Sequence, residues 1–348
     1  MTPAFHSFVS QCDQLSRFVT ATHSMRIIFA SAKEYSEPDS LQYELNNLKI
    51  NSPSSVDWRV LEHTLTVTHL YALFEQFFEE TIADWMDFLA SAYIFHQLPA
   101  KMQAAYQAGF AKVVGKLPSP RFTAFTVNNL VADFHEALKG GKTYRLEPNF
   151  ITYRSNNLRW NEICEIISRC DIPDLNGWVN ANDRVLGHLR GPPQNNAEQI
   201  ESRLADFVQY RNDCSHGVAT PDEILGHDDL LEMIEFVTVI ADSLSQLISW
   251  KKVETLLNNN RAKHIGKADE VYHQAGAIVV QSSNTTISVG QKLYWKTGGN
   301  FGVTEVLSLR VNDVNMTTID TTDPIAVGLK LTFLPKKGTK LLSDVAVE

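Results

Sequence analysis

The residues that could do chemistry are concentrated in one short run, residues 210–217, with the sequence YRNDCSHG. A guanidinium stays charged and matches the geometry of a phosphate, whereas an imidazole titrates near neutral pH and can carry a proton. Arg211 and His216 place these two groups in one segment, and Asn212 adds a hydrogen-bonding amide between them. This combination suits the binding or cleavage of a phosphodiester.

The preceding residues predict the element that positions this run. Apolar residues recur at helical spacing over residues 200–210, and Gly217 suits the left-handed conformation that often follows the last turn of a helix. Arg211 and His216 are therefore predicted near a helix C-terminus, where the backbone dipole favours cations and would keep His216 partly charged. A helix end capped by basic residues, with no chemistry, is the alternative interpretation.

The arrangement resembles the signature of the HEPN superfamily of helical ribonucleases. In that signature a His follows an Arg after a short gap; here Asn212 comes directly after Arg211, and Gly217 comes directly after His216. The resemblance implies that Arg211, Asn212 and His216 are catalytic and that the active form is a homodimer. Because no cluster of Asp, Glu, His or Cys has metal-ligand spacing, no metal or cofactor is expected.

The chemistry expected of such a site is metal-independent RNA cleavage. His216 would take the proton of a ribose 2′-hydroxyl or protonate the departing 5′-oxygen, and Arg211 would stabilise charge on the phosphate oxygens. Asn212 would hold the hydroxyl or one of the catalytic groups by a hydrogen bond. One chain supplies one imidazole for two proton transfers, so a symmetric dimer would complete the site. The predicted products are a 2′,3′-cyclic phosphate and a 5′-hydroxyl.

Glu75 is the candidate supporting residue. It lies beside the apolar face of a long aromatic-rich helix, in the sequence LFEQFF. A bidentate pair with Arg211 would fix the guanidinium for a phosphate. The alternative is an acid on a solvated helix surface, like its neighbours Glu79 and Glu80.

Helical periodicity predicts an all-α bundle over residues 1–257. A first helix is expected from residue 5 to about residue 32, followed by a polar break over residues 36–55 that contains Pro38 and Pro53. Ser54 or Ser55 is the predicted N-cap of the next helix. The remaining helices are predicted over residues 55–89, 99–114, 122–138 and 158–170, before Gly217, and from Gly226 onward.

Two of these helices carry apolar stripes long enough to need a partner surface. The stripe over residues 67–88 is heavily aromatic, and the stripe over residues 230–248 keeps its spacing through several turns. Both are predicted to lie mostly in the bundle core, and both also offer candidate surface for a dimer interface.

Further segments resemble one HEPN subfamily, named for RiboL-PSP and MAE-type proteins. The resemblance is carried by residues 155–162, with the sequence SNNLRWNE, and by the Phe-Glu step of the aromatic-rich helix. It covers about residues 5–257 and implies a helical HEPN domain.

Beyond residue 258 the helical period stops and short β-rich runs begin. They cover residues 277–281, 292–296, 303–311, 315–318 and 326–333, separated by Gly290, Gly298-Gly299, Asp323-Pro324 and Lys337-Gly338. This pattern predicts a small antiparallel barrel over residues 265–348 after a linker at 258–264. The strand order resembles the β-barrel second domain of translational GTPases such as elongation factor Tu. The phosphate-binding loop of GTPases is absent, so nothing supports GTP binding.

Charge and cysteine content limit the kind of RNA site and the cellular location that are expected. The formal net charge is −9, and residues 265–348 hold equal numbers of acidic and basic side chains, so the negative excess belongs to the helical part. Any RNA site must therefore be local. The four cysteines form no Cys-x-x-Cys pair, which argues against zinc and disulfides and predicts a reducing, cytoplasmic location. No signal peptide or membrane-spanning run is recognisable, so no membrane partner is expected.

Other chemistries find no support in the sequence. The motifs of serine hydrolases, zinc proteases and dinucleotide-binding folds are absent. Cys214 lies near His216, but no third group is evident to orient the pair, so a cysteine nucleophile is disfavoured. Four histidines without partners at metal-ligand spacing are predicted to be ordinary surface residues, namely His188, His227, His264 and His273.

The sequence therefore predicts a multidomain α + β protein, with a HEPN-like helical bundle followed by a small antiparallel β-barrel. Its predicted function is that of an endoribonuclease, toxin-like or acting in host defence. The expected partners are RNA (tRNA, mRNA or ribosome-associated RNA), a second copy of the chain, and an antitoxin or regulatory protein.

A second function stays open alongside the nuclease. The chain could be a non-catalytic module that binds RNA or protein through Arg211 and His216 and is linked to the translation apparatus by its barrel. The acidic helical part favours this alternative, whereas the Arg-Asn-x-x-x-His-Gly arrangement favours the nuclease. Some HEPN toxins carry a Tyr two residues after the His that an antitoxin modifies; Val218 occupies that position, so this mode of control is not expected.

Overall fold

The computed structural model describes residues 2–31, 39–117, 125–141, 143–172, 174–189, 195–217 and 220–344. Within these residues the helices are α1 (Pro3–Ser31), α2 (Asp39–Asn51), α3 (Ser55–Ala92), α4 (Ala100–Val114), α5 (Val127–Lys139), α6 (Asn149–Thr152), α7 (Trp160–Arg169), α8 (Leu175–Asn180), α9 (Asp183–Leu189), α10 (Asn196–His216) and α11 (His227–Asn258), with a 3-10 turn at Phe95–Gln97. The strands are β1 (Ala262–Tyr272), β2 (Ala277–Ser282), β3 (Thr285–Ser288), β4 (Lys292–Thr297), β5 (Asn300–Val311), β6 (Val314–Met316), β7 (Thr318–Thr321), β8 (Ile325–Leu331) and β9 (Lys340–Asp344). The prediction of a helical bundle followed by a β-barrel is confirmed.

The bundle is built around α1, α3 and α11, and α10 packs on α3. The Ser54 hydroxyl caps α3 by accepting the Asp57 N–H at 3.1 Å, as the sequence predicted. The aromatic stripe of α3 and the stripe of α11 are buried in the core of the single chain. Burial of each large apolar side chain contributes about 1.5–3 kcal/mol, so these stripes are a major source of stability for the bundle.

Helix α2 was not predicted. The prediction of a polar break over residues 36–55 is wrong for residues 39–51, which form α2. Between Pro38 and Pro53 the chain has no Gly or Pro, and its Leu, Gln, Glu and Lys residues favour a helix. Tyr43, Leu48 and Ile50 of α2 are all exposed, so these three residues do not mark a buried face.

Other helices differ from the prediction in their limits. Helix α5 begins at Val127, because Thr126 caps it by accepting the Asn129 N–H at 3.2 Å. It ends at Lys139, and Gly140 follows it with a φ of 76°. Helices α6, α8 and α9 are too short, at 4, 6 and 7 residues, to show a helical period. The predicted break at Pro38 and the predicted start of α5 at residue 122 lie outside the described residues.

Six strands close the barrel in the order β4, β9, β1, β2, β8 and β5, and β5 pairs back to β4. Strand β6 pairs antiparallel with the end of β5, and β3 pairs separately with β7. Strand β1 was not predicted because its register shifts twice, after His264 and after Ala268, which destroys the two-residue alternation. Helix α11 ends at Asn258 and β1 begins at Ala262. The domain boundary at residues 258–264 stays a prediction.

The barrel packs directly on the bundle. Phe301 and Leu342 from the barrel belong to the bundle core. The Asn182 side chain donates a 2.7 Å hydrogen bond to the Gly299 carbonyl, and the Phe301 N–H donates to Gln246 Oε1 at 3.0 Å. None of the described helices combines the length and the apolar character that a membrane span requires.

Candidate active site

The Arg-Asn-x-x-x-His run forms the last turns of α10. His216 is the final helical residue, and Gly217 follows it with a φ of 69° and donates its N–H to the Cys214 carbonyl at 3.3 Å. A left-handed residue costs a non-glycine side chain about 1–2 kcal/mol, which explains the Gly at this position. Arg211 and His216 therefore lie near a helix C-terminus, as predicted.

Arg211 is oriented by an aromatic ring on the neighbouring helix. Its guanidinium carbon lies 4.9 Å from the centre of the Tyr71 ring on α3, and its Nη1 donates to Asn212 Oδ1 at 3.2 Å. Asn212 Oδ1 also accepts a 2.8 Å hydrogen bond from Asn157 Nδ2. The Arg side chain is half-buried, so its plane is fixed while part of it stays accessible.

Tyr71 is itself held in place by two hydrogen bonds. Its hydroxyl accepts the Leu158 N–H at 2.8 Å and donates to Glu75 Oε1 at 3.2 Å. Burial raises the pKa of Tyr71 to about 12, so the phenol is neutral over the physiological range. Tyr71 therefore supports Arg211 as a rigid, uncharged platform.

Glu75 does not pair directly with Arg211 in the structure. Its Oε1 binds Arg154 Nη2 at 2.5 Å, and Glu79 binds Arg154 Nη1 at 3.1 Å. The Arg154 side chain is 1 % exposed, so the two acids supply the counter-charge that a buried guanidinium requires. Glu75 thus reaches Arg211 through Tyr71, and neither Glu75 nor Glu79 is the free surface acid of the alternative interpretation.

His216 differs from Arg211 in being exposed and without a fixed partner. Among the described residues, no side chain forms a hydrogen bond or ion pair with its ring. Successive residues of an α-helix rotate by about 100°, so side chains five positions apart point about 140° away from each other. The structure therefore places Arg211 and His216 on different sides of α10.

A polar cleft adjoins Asn157 on the face of α10 that carries Asn212. It has a volume of about 540 Å³. Its walls come from residues 155–162 and from Glu201 and Ala205 of α10. Two of its amides are anchored, because Asn156 donates to Glu162 at 3.0 Å and Asn161 donates to Glu201 at 2.6 Å. The exposed Arg159 supplies a cation at its wall.

Two ionisable side chains, one within the run and one beside it, are poorly suited to proton transfer or nucleophilic attack. Burial raises the pKa of the Cys214 thiol, which disfavours the thiolate that a nucleophile needs. His63 lies against Tyr210, with ring centroids 5.6 Å apart, and burial lowers its pKa to about 4. Its Nδ1 accepts the Leu225 N–H at 3.2 Å, so the neutral ring ties the segment before α11 to α3.

Two of the four predicted surface histidines are not free on the surface. His188 lies 3.1 Å from Glu232 and stacks on Phe236. His227 stacks on His23 with ring centroids 4.1 Å apart. Both contacts join residues distant in sequence, which spacing alone does not reveal. The described residues contain no group of three or more His, Cys, Asp or Glu placed to bind a metal ion. Val218, the position two residues after His216, lies outside the described residues.

Arg154, Tyr71 and Asn157 are the neighbours of the run that sequence reasoning did not single out for roles at the site. A weak signal exists for Arg154, since Glu75 and Glu79 share one helix face and would favour a nearby cation. The similarity of residues 155–162 to a HEPN subfamily marked the segment but not its contact with Asn212. These contacts join α3, α10 and the segment before α7, and they depend on the tertiary fold.

The comparison with known families agrees with this architecture. No curated protein matches the chain. A family model described as MAE_28990-like HEPN matches residues 21–298, which include the Arg-Asn-x-x-x-His run and extend into the barrel as far as the end of β4. The likeness of the barrel to that of elongation factor Tu remains a resemblance only. Because the match spans most of the sequence, the chain belongs to the MAE_28990-like HEPN family.

Proposed function

We propose that this protein is a metal-independent endoribonuclease whose site is formed by Arg211, Asn212 and His216. HEPN domains are commonly nucleases, and membership of that family sets the expectation. The observation that carries the proposal is the difference between the surroundings of Arg211 and those of His216. Arg211 is held on Tyr71 and by Asn212, as a phosphate clamp requires, whereas His216 is exposed at the helix end, as a proton carrier requires.

Each residue has one task in the reaction. The Arg211 guanidinium stabilises charge on the non-bridging phosphate oxygens while the ribose 2′-oxygen attacks phosphorus. An imidazole takes the 2′-hydroxyl proton, and a protonated imidazole gives a proton to the departing 5′-oxygen. Asn212 keeps the guanidinium in position through the bond to Arg211 Nη1. The products are a 2′,3′-cyclic phosphate and a 5′-hydroxyl.

The active form is a homodimer in this proposal. One chain provides one His216, yet the reaction uses both a base and an acid, and helix geometry turns Arg211 and His216 of one chain about 140° apart. A two-fold axis near the end of α10 would bring two copies of the run together. The exposed apolar side chains of Leu61 and Leu65 lie on α3 close to this end, because His63 between them packs against Tyr210 of α10.

RNA would enter along the cleft beside Asn157. Amide groups suit the edges of unpaired bases, and Arg159 suits a backbone phosphate. The substrate is RNA, with tRNA, mRNA and ribosome-associated RNA as the candidates. The biological role is toxin-like or one of host defence, in the cytoplasm, with an antitoxin or regulatory protein as a further partner.

A non-catalytic binding module is the second candidate function. The observation that favours it is that His216 has no orienting partner among the described residues, together with the acidic charge of the helical part. In that case Arg211 and His216 grip RNA or a carboxylate and no bond is broken.

The two candidates are separated by incubating the purified full-length protein with total RNA in EDTA. The nuclease yields new fragments that end in a 2′,3′-cyclic phosphate and begin with a 5′-hydroxyl. RNA that is bound but intact would support the binding module, and cleavage that requires a divalent metal ion would refute the proposed chemistry.

A further inference from the structure

A second cationic surface lies where the barrel meets the end of α11, away from the proposed active site. It is a cleft of about 490 Å³. Its wall combines Trp250 from α11 with side chains from the barrel strands β1, β4 and β9. Three of these barrel side chains are lysines, namely Lys296, Lys337 and Lys340, and His264 lies beside them.

The charge in this cleft is not neutralised by any residue that the structure describes. Among the described residues, no Asp or Glu lines it, and Lys296, Lys337 and Lys340 form no ion pair. Lys267 lies directly opposite Lys340 in the β1–β9 pair. Like charges placed opposite each other on neighbouring strands destabilise a sheet. A bound polyanion would relieve this repulsion.

The lysine-bearing turn before β9 is fixed by hydrogen bonds. The Gly338 N–H donates to the Ala268 carbonyl at 2.7 Å, and the Thr339 N–H closes the turn on the Lys336 carbonyl at 3.1 Å. The Thr297 and Thr339 hydroxyls lie 3.0 Å apart and connect the turn to β4. Ligand binding at Lys337 and Lys340 would therefore order little additional backbone.

An aromatic side chain completes the cleft. The half-buried Trp250 faces Lys296, whose Nζ lies 5.4 Å from the indole centre. A basic groove that contains an aromatic side chain is the usual surface for single-stranded nucleic acid, because phosphates contact the lysines and a base contacts the ring. Double-stranded RNA is instead recognised across a broad surface by its shape and backbone.

We propose that this cleft binds the backbone of single-stranded RNA. It lies near the N-terminal end of α10, since the Ala197 N–H bonds Asn180 of α8 and Trp178 of α8 lies 5.8 Å from Lys296 Nζ. The proposed active site is at the opposite end of α10, a 21-residue helix, so the two sites are on the order of 30 Å apart. The cleft is thus a site separate from the Arg-Asn-x-x-x-His run, and RNA can bind there whether or not the chain is a nuclease.

The test measures binding rather than cleavage. The parent protein is the full-length chain with His216→Ala, which is used so that the RNA stays intact. It is titrated into a fluorescein-labelled oligouridine of about 12 nucleotides in EDTA at several salt concentrations, and binding is read from the fluorescence anisotropy. Adding Lys337→Gln and Lys340→Gln should weaken binding about tenfold. The slope of the logarithm of the binding constant against the logarithm of the salt concentration should become shallower by about 1.4, because each phosphate contact of a single strand contributes about 0.7.

The matched control is Lys292→Gln with Lys330→Gln, which removes the same charge from exposed barrel positions outside the cleft. This control should stay within about twofold of the parent, because exposed charges beyond the Debye length are screened. Equal losses in both double variants, no binding by the parent, or equally tight binding of a duplex of the same length would overturn the inference. Failure of the ribonuclease proposal would appear in the cleavage experiment and leave this result unchanged.

Discussion

At the scale of single residues, the sequence identified the run but not the side chains that orient it. The types and spacing of Arg211, Asn212 and His216 could be recognised because a helix end and its glycine have local signals. The platform under Arg211 could not, since Tyr71 belongs to an aromatic stripe in which each ring looks like core. Only the fold shows that this ring lies under the guanidinium.

Tyr71 offers a test of that platform. Tyr71→Phe keeps the ring but leaves the buried Leu158 N–H without its acceptor, so we expect a loss of about 1–3 kcal/mol in the free energy of unfolding with cleavage retained. Tyr71→Leu also removes the ring, so at the same fraction of folded protein we expect its cleavage rate to be lower than that of Tyr71→Phe. Urea unfolding and initial cleavage rates check both variants. Identical rates for Phe and Leu would show that the ring does not position Arg211.

His63 predicts a pH-dependent stability. Its ordinary pKa of 6.5 is lowered to about 4 by burial, so the unfolded chain binds a proton at a higher pH than the folded chain does. The stability from the neutral ring is present above pH 6.5 and is lost as the pH falls toward 4. Over that range the loss is on the order of 3 kcal/mol, at 1.36 kcal/mol per pKa unit.

The measurement is urea unfolding of the wild type and of His63→Gln at several pH values. Gln does not titrate, so the difference in stability between the two proteins should change with pH between 4 and 6.5 and be constant above it. A difference that is constant over the whole range would contradict the prediction.

At the scale of elements, long periodic helices were predictable and short or irregular elements were not. Helices α3 and α11 follow from their apolar stripes and caps, and Gly217 marks the end of α10. Helix α2 exposes Tyr43, Leu48 and Ile50, and β1 has two register shifts, so neither gives a clear apolar period. The connection from α3 to the segment before α7 depends on Arg154, whose partners on α3 are far away in sequence.

The ion pairs of Arg154 should be important for stability. Glu75→Gln combined with Glu79→Gln leaves a guanidinium that is 1 % exposed without a counter-charge, which we expect to cost about 3–5 kcal/mol. The control is Glu80→Gln, an exposed acid on the same helix that contacts Gln76, with an expected change within about 0.5 kcal/mol. Equal unfolding midpoints in urea for the two variants would refute the role assigned to Arg154.

At the scale of the whole molecule, the surface available for dimerisation differs from the one the stripes suggested. Most apolar side chains of the stripes over residues 67–88 and 230–248 are buried in the single chain, as the periodicity mainly predicted. Exposed apolar side chains are found on the outer face of α3 and on α1, including Phe18, Leu61 and Leu65, as well as on other elements. Phe18 and Leu65 line a groove of about 650 Å³ between α1 and α3.

Leu65→Asp should disrupt the proposed dimer. Leu65 is 54 % exposed, so the monomer should still fold, whereas a carboxylate in a dry interface would be strongly unfavourable. The control is Val314→Asp, at a barrel position that is 62 % exposed. Light scattering should give a dimer for the wild type and control and a monomer with little cleavage for Leu65→Asp. A monomeric wild type with full specific activity would mean that one chain contains a complete site.

The central claim is that Arg211 and His216 carry out metal-independent RNA cleavage, and the most direct test is the rate of cleavage of a defined RNA in EDTA. We expect His216→Ala and Arg211→Ala each to lose at least about 100-fold in rate with unchanged circular dichroism, because neither residue belongs to the core. His273→Ala, at an exposed barrel position, should cleave like the wild type and give 2′,3′-cyclic phosphate ends. Equal cleavage by the wild type, His216→Ala and Arg211→Ala would contradict the claim.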